Sequence, residues 1–272
     1  MLYNITAVVT SFRVDDTEID AIIDGTGDAI VLIAGFPLTR EIWNEPAAQL
    51  ARSHRIICPD LRGMGSSRVP DGPYLMEILA GDIAAMLDAL SIEKAGIAGH
   101  SLGGYVALAF ARMYSERVNK LALVCSRLGA DSPEIAGSRN DLADRLEREG
   151  SIEPALDVYL PRLFSDAIIR SNAQLFDRAR DIGRRNSARG AAAMLRGMAQ
   201  RADSNDIAPE LGMPVLIVAG KDDKVVPLEE AQRMQRAFPA AQLRIMDRSG
   251  HLPMLEEPAA LTAVLSGFFE SP

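Results

Sequence analysis

One stretch indicates the fold of this chain most clearly: Ala95-Gly96-Ile97-Ala98-Gly99-His100-Ser101-Leu102-Gly103-Gly104. Its first four residues form a short apolar run typical of a buried strand, and residues 102–113 carry the pattern of an amphipathic helix. The Gly-x-Ser-x-Gly pattern between them puts Ser101 on a tight strand-to-helix turn, where small neighbours relieve crowding. The N-terminus of the following helix also favours the negative charge of an oxyanion. The stretch therefore predicts that Ser101 is a nucleophile.

Other strand patterns recur on both sides of this turn. They lie at residues 29–34, 55–58, 118–125, 215–219 and 242–246. Helical patterns lie between them at 75–90 and 228–237, and after the last of them at 258–269. Residues 5–14 and 17–23 alternate apolar and polar positions, which predicts an antiparallel hairpin. Strands that alternate with helices predict an α/β fold, here an eight-stranded, mostly parallel sheet with helices on both faces.

Residues 127–205 interrupt the alternation of strands and helices. They have helical periodicity with Pro and Gly interruptions, and they contain no strand pattern. A helical block between two strands of a sheet predicts a cap over the sheet's edge. We therefore expect an α/β core formed by residues 1–126 and 206–272, with residues 127–205 as a helical cap.

The composition is that of an ordinary folded protein, with 272 residues, 48% of them hydrophobic, and a net charge of −8. That charge argues against a nucleic-acid partner, because phosphate binding needs clustered positive charge. No apolar run approaches the ~20 residues that span a bilayer, and residues 1–10 lack the pattern of a secretory signal. Cys58 and Cys125 each end an apolar run, which favours buried thiols. We expect a cytoplasmic protein with a small-molecule substrate and no membrane partner; a homodimer stays open.

The chain has three histidines, and position in the sheet separates them. His54 precedes strand 55–58, at the amino ends of the strands, whereas sites in parallel sheets lie at the carboxyl ends. His100 neighbours Ser101 on a sharp turn, so its side chain should point away from the serine. His251 follows strand 242–246 at the carboxyl edge, so we predict that it is the general base for Ser101.

A carboxylate is needed to fix the tautomer of the base and to stabilise its charged form. The loop after strand 215–219 contains Asp222 and Asp223, again at the carboxyl edge of the sheet. Position alone allows either aspartate to serve. The other is then an ordinary loop or helix-capping residue, which is the common role of Asp in turns.

With these residues in place, the chain resembles the α/β-hydrolase superfamily over nearly its full length. The matching stretches, besides the turn around Ser101, are Ala34-Gly35-Phe36-Pro37 with Trp43, residues 59–67, residues 220–227, and Ser249-Gly250-His251 with Glu256-Glu257-Pro258. The family's acid loop has the form Gly-x-x-Asp followed by a proline. The resemblance therefore selects Asp223 over Asp222.

The same resemblance implies an oxyanion hole built from two main-chain N–H groups. They belong to Leu102, which follows the nucleophile, and to Phe36, in the loop after strand 29–34. This chain departs from the family at Ala34, where the family has a histidine. Because the donors are main-chain groups, we expect the hole to survive the change, without any hydrogen bond that the histidine would have made to brace the loop.

Residues 194–201, followed by Asp203-Ser204, are similar to the end of the cap in the subgroup that contains 3-oxoadipate enol-lactonases. This resemblance implies a serine hydrolase that cleaves a small carboxylic ester or lactone through an acyl-enzyme on Ser101. A cofactor-free perhydrolase or haloperoxidase, or a carbon–carbon bond hydrolase, would use the same residues, and some members of the fold are non-catalytic ligand receptors. We expect no cofactor, and so few histidines and cysteines predict no metal site.

Overall fold

The computed structural model describes residues 8–271 of the chain. Its strands are β1 (Val8–Val14), β2 (Thr17–Asp24), β3 (Ala29–Ile33), β4 (Arg55–Pro59), β5 (Ala95–His100), β6 (Val118–Val124), β7 (Val215–Gly220) and β8 (Gln242–Met246). These eight strands form one sheet in the order β1-β2-β4-β3-β5-β6-β7-β8. β2 pairs antiparallel with β1 and β4, and all the other neighbours are parallel. The predicted mostly parallel sheet is confirmed; residues 5–7 of the predicted hairpin lie outside the described residues.

Helices fill the connections between these strands. They are α1 (Asn44–Leu50), α2 (Met76–Ala89), α3 (Leu102–Met113), α4 (Pro133–Glu149), α5 (Glu153–Leu163), α6 (Asp166–Ser171), α7 (Ala173–Gly183), α8 (Ala188–Ala199), α9 (Leu228–Ala237), α10 (Pro253–Glu256) and α11 (Pro258–Glu270). The patterns at 75–90, 102–113, 228–237 and 258–269 become α2, α3, α9 and α11. The sequence patterns do not predict α1 or α10, because seven and four residues are too few to show a helical period.

The central strands are buried along their whole length. Every position of β3, β5 and β7 is buried, as expected for parallel strands that are covered on both faces. β8 lies at the edge of the sheet, and only Met246 of its residues is buried. The loops at the carboxyl ends of β3, β5, β7 and β8 therefore meet above a rigid, tightly packed core.

The segment between β6 and β7, residues 125–214, is called the insertion below. It contains α4 to α8 and, within the described residues, no strand, as the sequence predicts. Two glycines of α8 allow it to lie directly on the loops of the sheet. A Cβ atom on Gly190 would overlap the main chain of Gly63, and one on Gly197 would overlap the main chain of Tyr74. Any larger residue at either position would push the insertion away from the sheet.

The described cysteines are both buried free thiols, in agreement with their positions at the ends of apolar runs. Burial raises the pKa of both Cys58 and Cys125, so both thiols carry their proton at neutral pH. Within residues 8–271 no helix combines the length and the apolar character that crossing a membrane requires.

Candidate active site

Ser101 lies on the turn between β5 and α3 with φ 51° and ψ −112°, a conformation that residues with a side chain rarely adopt. Such strain costs about 1–3 kcal/mol and persists only where the surroundings fix it. Here the main chain is held on both sides: Ser101 N–H donates to the carbonyl of Val124 at 2.9 Å, and Ser126 Oγ donates to the carbonyl of Ser101 at 3.0 Å. The turn is thus fixed by the end of β6 and by Ser126, which follows that strand.

Glycines make this turn sterically feasible. A Cβ atom on Gly99 would overlap the carbonyl of Gly103, and a Cβ atom on Gly103 would overlap the carbonyl of Ile33. Because the main chain of α3 approaches both β5 and the end of β3 this closely, neither position accepts a side chain. This is the physical reason for the Gly-x-Ser-x-Gly pattern around Ser101.

The structure brings His251 and Asp223 together and leaves Asp222 exposed. His251 Nδ1 lies 2.7 Å from Asp223 Oδ2, and both side chains are 1% exposed. The other carboxylate oxygen of Asp223 accepts hydrogen bonds from the N–H groups of Val225 at 2.7 Å and Val226 at 2.9 Å. Burial by itself would raise the pKa of Asp223, but the charge and hydrogen bond of His251 and the two N–H donors outweigh it and lower that pKa.

An ionised carboxylate can only accept, so Asp223 fixes Nδ1 of His251 as the nitrogen that carries the proton. The other ring nitrogen, Nε2, is buried and has no hydrogen-bond partner among the described residues. Buried polar atoms are nearly always paired, and an exception calls for an explanation. In a neutral imidazole with the proton on Nδ1, Nε2 has the free lone pair that a general base needs.

The loops that carry Asp223 and His251 are in close main-chain contact. A Cβ atom on Gly220 at the end of β7 would overlap the carbonyl of Gly250. His251 N–H donates to the carbonyl of Leu163 in the insertion at 2.8 Å. The carboxylate of Glu256 accepts from Gly250 N–H at 2.9 Å and from Leu252 N–H at 3.2 Å. The main chain on both sides of His251 is therefore fixed.

His100 lies against His251, with 4.9 Å between the ring centroids. Burial, aided by the nearby charge of His251, lowers the pKa of His100 to about 3, so its ring is neutral at physiological pH. Its Nε2 is 2.8 Å from the carbonyl of His251 and donates to it, since a carbonyl only accepts. Sequence reasoning placed this side chain away from Ser101 and had no signal for a contact with His251.

The two main-chain donors suggested by the family resemblance belong to buried residues, Phe36 in the loop after β3 and Leu102 at the start of α3. Within residues 8–271, neither N–H donates to another protein group. Leu102 is the first residue of its helix, so its N–H has no carbonyl partner inside the helix. Both N–H groups are therefore available to a ligand.

Asn186, between α7 and α8, joins the loop after β3 to the loop after β4. It is buried, its Nδ2 donates to the carbonyl of Pro37 at 2.8 Å, and its Oδ1 accepts from Gly65 N–H at 2.7 Å. Asn186 supplies a brace to the loop in which Ala34 replaces the family's histidine. Sequence reasoning missed this residue, because about 150 positions separate it from the loop it holds.

The described part of the chain contains one group of three side chains placed to hold a metal ion: Cys125, Asp223 and His251. Their ligand atoms lie within 4.8 Å of one another. Asp223 and His251 already share a hydrogen bond, and burial raises the pKa of the Cys125 thiol, which keeps its proton. This group is the hydrogen-bonded pair of His251 and Asp223 with a neutral thiol beside it.

A mostly parallel sheet with a serine on a strained turn at its carboxyl edge, and a histidine paired with an aspartate in loops of the same edge, is typical of the class of α/β hydrolases. Residues 28–258 match the family described as alpha/beta hydrolase fold, and the chain belongs to this family.

Several relatives in this family have described activities. An esterase from Thermogutta terrifontis, solved with malate bound, is 35% identical, with a TM-score of 0.92 over 97% of this chain and 98% of its own. The 3-oxoadipate enol-lactonase 1 of Acinetobacter baylyi is 30% identical over 89% of both chains. The 2-hydroxy-6-oxo-2,4-heptadienoate hydrolase of Pseudomonas putida is 28% identical over 90% of both chains. The chain thus belongs to a hydrolase family with esterase, enol-lactonase and carbon–carbon hydrolase relatives.

Proposed function

We propose that this chain is a serine hydrolase that cleaves a small carboxylic ester or lactone, with Ser101 as nucleophile, His251 as general base and Asp223 as the acid that orients it. One observation carries the proposal: Nδ1 of the buried His251 is bound to Asp223 at 2.7 Å, while its Nε2 has no partner among the described residues. A histidine whose Nδ1 is held by a carboxylate and whose Nε2 is unpaired is suited to proton transfer during acyl transfer. It lies at the same carboxyl edge of the sheet as the serine on the strained turn.

The reaction takes place in two acyl-transfer steps. In the first, Nε2 of His251 takes the proton of Ser101 Oγ as Oγ bonds to the ester carbonyl carbon. The tetrahedral intermediate then collapses, the bond to the alcohol oxygen breaks, and His251 returns the proton to that oxygen. In the second, His251 takes a proton from water, the hydroxide attacks the acyl carbon, and Ser101 leaves with the proton as the acid is released.

The negative oxygen of each tetrahedral intermediate would be held by the N–H groups of Phe36 and Leu102. These groups need no rearrangement, because neither donates to another group within residues 8–271. Losing one such donor costs on the order of 10²–10³ in rate in enzymes of this kind. Asn186 serves this step indirectly, by holding the carbonyl of Pro37 beside Phe36.

Residues 127–205 would serve as the cap of this site. Its contacts support that role: the carbonyl of Leu163 accepts from His251 N–H, and Ser165 N–H donates to the carboxylate of Glu256 at 3.0 Å. Asn186 reaches the loop on the other side of Ser101. The cap would thus position both halves of the site as well as cover it.

A carbon–carbon bond hydrolase is the second candidate, and the relative from Pseudomonas putida, similar over 90% of both chains, favours it. The same serine, histidine and aspartate would serve that reaction. The two candidates differ in the substrate. The substrate of the carbon–carbon bond hydrolase would be a 2-hydroxy-6-oxo dienoate of the kind named for that relative. If the protein hydrolyses such a dienoate much faster than any ester, it is a carbon–carbon bond hydrolase and the ester proposal is wrong.

The test of the proposed function is the release of p-nitrophenol from p-nitrophenyl acetate under pre-steady-state conditions. We expect a burst of one equivalent of p-nitrophenol per active site, and mass spectrometry should detect an acetyl group on Ser101. Ser101→Ala should show no burst. Ser138→Ala, which removes an exposed serine of α4, is the matched control and should retain the burst. Equal release by wild type and Ser101→Ala would refute the proposal.

A further inference from the structure

A cleft lies at the amino ends of the strands, on the opposite edge of the sheet from Ser101. Its volume of about 390 Å³ is within the range of small-ligand sites. A Cβ atom on Gly96 of β5 would overlap the ring of Phe269, so this ring forms a wall of the cleft directly against the sheet. We call this space the amino-edge cleft, and its lining includes Asp28, Ser53, His54, Lys120, Phe269 and Glu270.

His54 lines the amino-edge cleft and is only 6% exposed. Ser53 Oγ lies 3.0 Å from Nδ1 of His54 and 3.2 Å from Oε1 of Glu270. Because a carboxylate only accepts, the single hydroxyl proton of Ser53 goes to Glu270, and Nδ1 of His54 donates to Ser53. In a neutral ring Nε2 is then an acceptor. It has no hydrogen-bond partner within residues 8–271 and is not enclosed by protein, so it is open to the cleft.

The donors that line the amino-edge cleft are already used. Nζ of Lys120 donates to the carbonyls of Phe268 and Phe269, at 3.1 Å each, and to the carbonyl and hydroxyl oxygens of Ser271. An ammonium group has three protons, and these acceptors take all of them. The hydroxyl of Ser271 in turn donates to the carbonyl of Phe268 at 2.8 Å. Apart from the exposed amide of Asn119, the side chains of this cleft therefore offer an anion no free donor.

Acceptors, in contrast, remain open in the amino-edge cleft. Asp28 is exposed, and its carboxylate has no ion pair or hydrogen bond with the described part of the chain. Glu270 accepts from Ser53 and from Ser266 through Oε1, so Oε2 is free. The charge of Lys120 is held by the carbonyl end of α11, which carries partial negative charge of its own. The cleft thus has two carboxylates without a counter-charge.

We propose that the amino-edge cleft binds a small aliphatic diamine in its doubly protonated form. Two unpaired carboxylates call for two cationic groups, and ammonium groups supply the donors that Asp28, Glu270 and Nε2 of His54 lack. The ring of Phe269 can also face an ammonium group. The proposal is independent of the proposed function, because the cleft and Ser101 lie at opposite edges of the sheet.

A metal ion suits the amino-edge cleft less well than a diamine. Among the described residues, one group of three potential metal ligands has its atoms within 4.8 Å of one another, and that group lies at the carboxyl edge of the sheet. The acceptors of the cleft are therefore too far apart to share a single ion. A flexible chain with a cationic group at each end can reach acceptors that are spread along a cleft.

The test is calorimetry with 1,4-diaminobutane, compared with 1-aminobutane, which lacks the second cationic group. We expect the diamine to bind about fivefold more tightly, the effect of one partly exposed ion pair. Asp28→Asn and Glu270→Gln should each weaken its binding by about fivefold. Asp222→Asn removes an exposed acid at the opposite edge and should leave the affinity unchanged. An equal loss from Asp222→Asn would show that the amine responds only to the net charge of −8, and the site would be wrong.

Nuclear magnetic resonance locates the diamine without any substitution. The chain has three histidines, so the imidazole nitrogen signals of His54 can be followed beside those of His100 and His251. The diamine should shift the Nε2 signal of His54 and leave the signals of the other two rings in place. An unshifted His54, or a diamine that binds no more tightly than the monoamine, would overturn the proposal. Neither measurement uses turnover, so a failure of the proposed function would leave both results unchanged.

Discussion

The loops after β8 and β3 lie on opposite sides of Ser101, and they are held in different ways. In the loop after β8, His251 is bonded through its ring to Asp223, through its N–H to Leu163 and through its carbonyl to His100. The carboxylate of Glu256 holds the residues on either side of it. Several independent contacts therefore fix the position of His251.

In the loop after β3, Arg40 binds Asp60, but the residues around Phe36 have one comparable support. Among the described residues, the hydrogen bond that ties residues 35–38 to another segment is the one from Asn186 to the carbonyl of Pro37. Asn186 is fixed in turn by Gly65 N–H at 2.7 Å. The comparison teaches that His251 is held by several contacts, whereas residues 35–38 are held by a hydrogen bond from one buried amide, so the two segments should respond differently to substitution.

The largest effect should come from the acid. Asp223→Asn replaces an acceptor with a group that can donate to Nδ1 of His251, which favours the wrong tautomer. We expect kcat for p-nitrophenyl acetate to fall by about 10⁴, the loss seen when the triad aspartate of a serine protease is changed in this way. Asp222→Asn is the matched control, and because Asp222 is exposed it should change kcat by less than about twofold. A larger loss from Asp222→Asn would contradict the assignment of Asp223.

The next effect tests the hydrogen bond from Asn186 that supports residues 35–38. Asn186→Asp keeps the size of the side chain and the acceptor for Gly65 N–H, but it places a carboxylate oxygen against the carbonyl of Pro37. We expect kcat to fall by about 10–100-fold with little change in KM, less than the 10²–10³ of a fully lost oxyanion donor. Asn172→Asp, at the N-cap of α7 where Asp caps as well as Asn, should leave kcat unchanged.

The same assay on Glu256→Gln tests whether the loop after β8 keeps its function when one of its several supports is weakened. Glutamine retains one acceptor oxygen, and the bonds of His251 to Asp223, Leu163 and His100 remain. We therefore expect a change in kcat within about threefold, since several contacts would have to fail together to move the histidine. A loss larger than that of Asn186→Asp would reverse the comparison between the two loops.

The smallest effect concerns the pH dependence of stability. Burial lowers the pKa of His100 to about 3 from an ordinary value of 6.5. Between these values the unfolded chain binds a proton that the folded chain does not, so His100 makes the free energy of unfolding fall as pH falls, by about 1.4 kcal/mol per pH unit at most. His100→Gln keeps an N–H donor for the carbonyl of His251 but cannot titrate.

Urea unfolding at pH 7 and pH 5 compares the two proteins. We expect His100→Gln to lose less stability than wild type over this interval. Asp223, whose pKa is lowered, is present in both proteins and titrates below the interval, so it does not affect the difference. Equal losses in the two proteins would show that His100 does not stay neutral in the folded state.

Much of the fold follows from local patterns. Residues 95–98, 215–219 and 242–246 have strand patterns that extend over neighbouring positions, and each becomes a strand of the sheet. α1 and α10 are too short to show a period, and the order of the strands depends on packing between segments far apart in sequence. Local preferences act over a few residues. They therefore indicate where a strand or a long helix lies, but not which other elements pack beside it.

The sequence by itself determined the turn around Ser101, since Gly99 and Gly103 are required wherever main chains approach so closely. It also separated His251 from the other histidines, because strand order along the chain decides which loops lie at the carboxyl edge. Only the tertiary structure decided that Asn186 braces the loop after β3 and that His100 supports His251. Hydrogen bonds between distant buried groups leave no periodic pattern in a sequence, because they depend on two surfaces that meet only after the chain has folded.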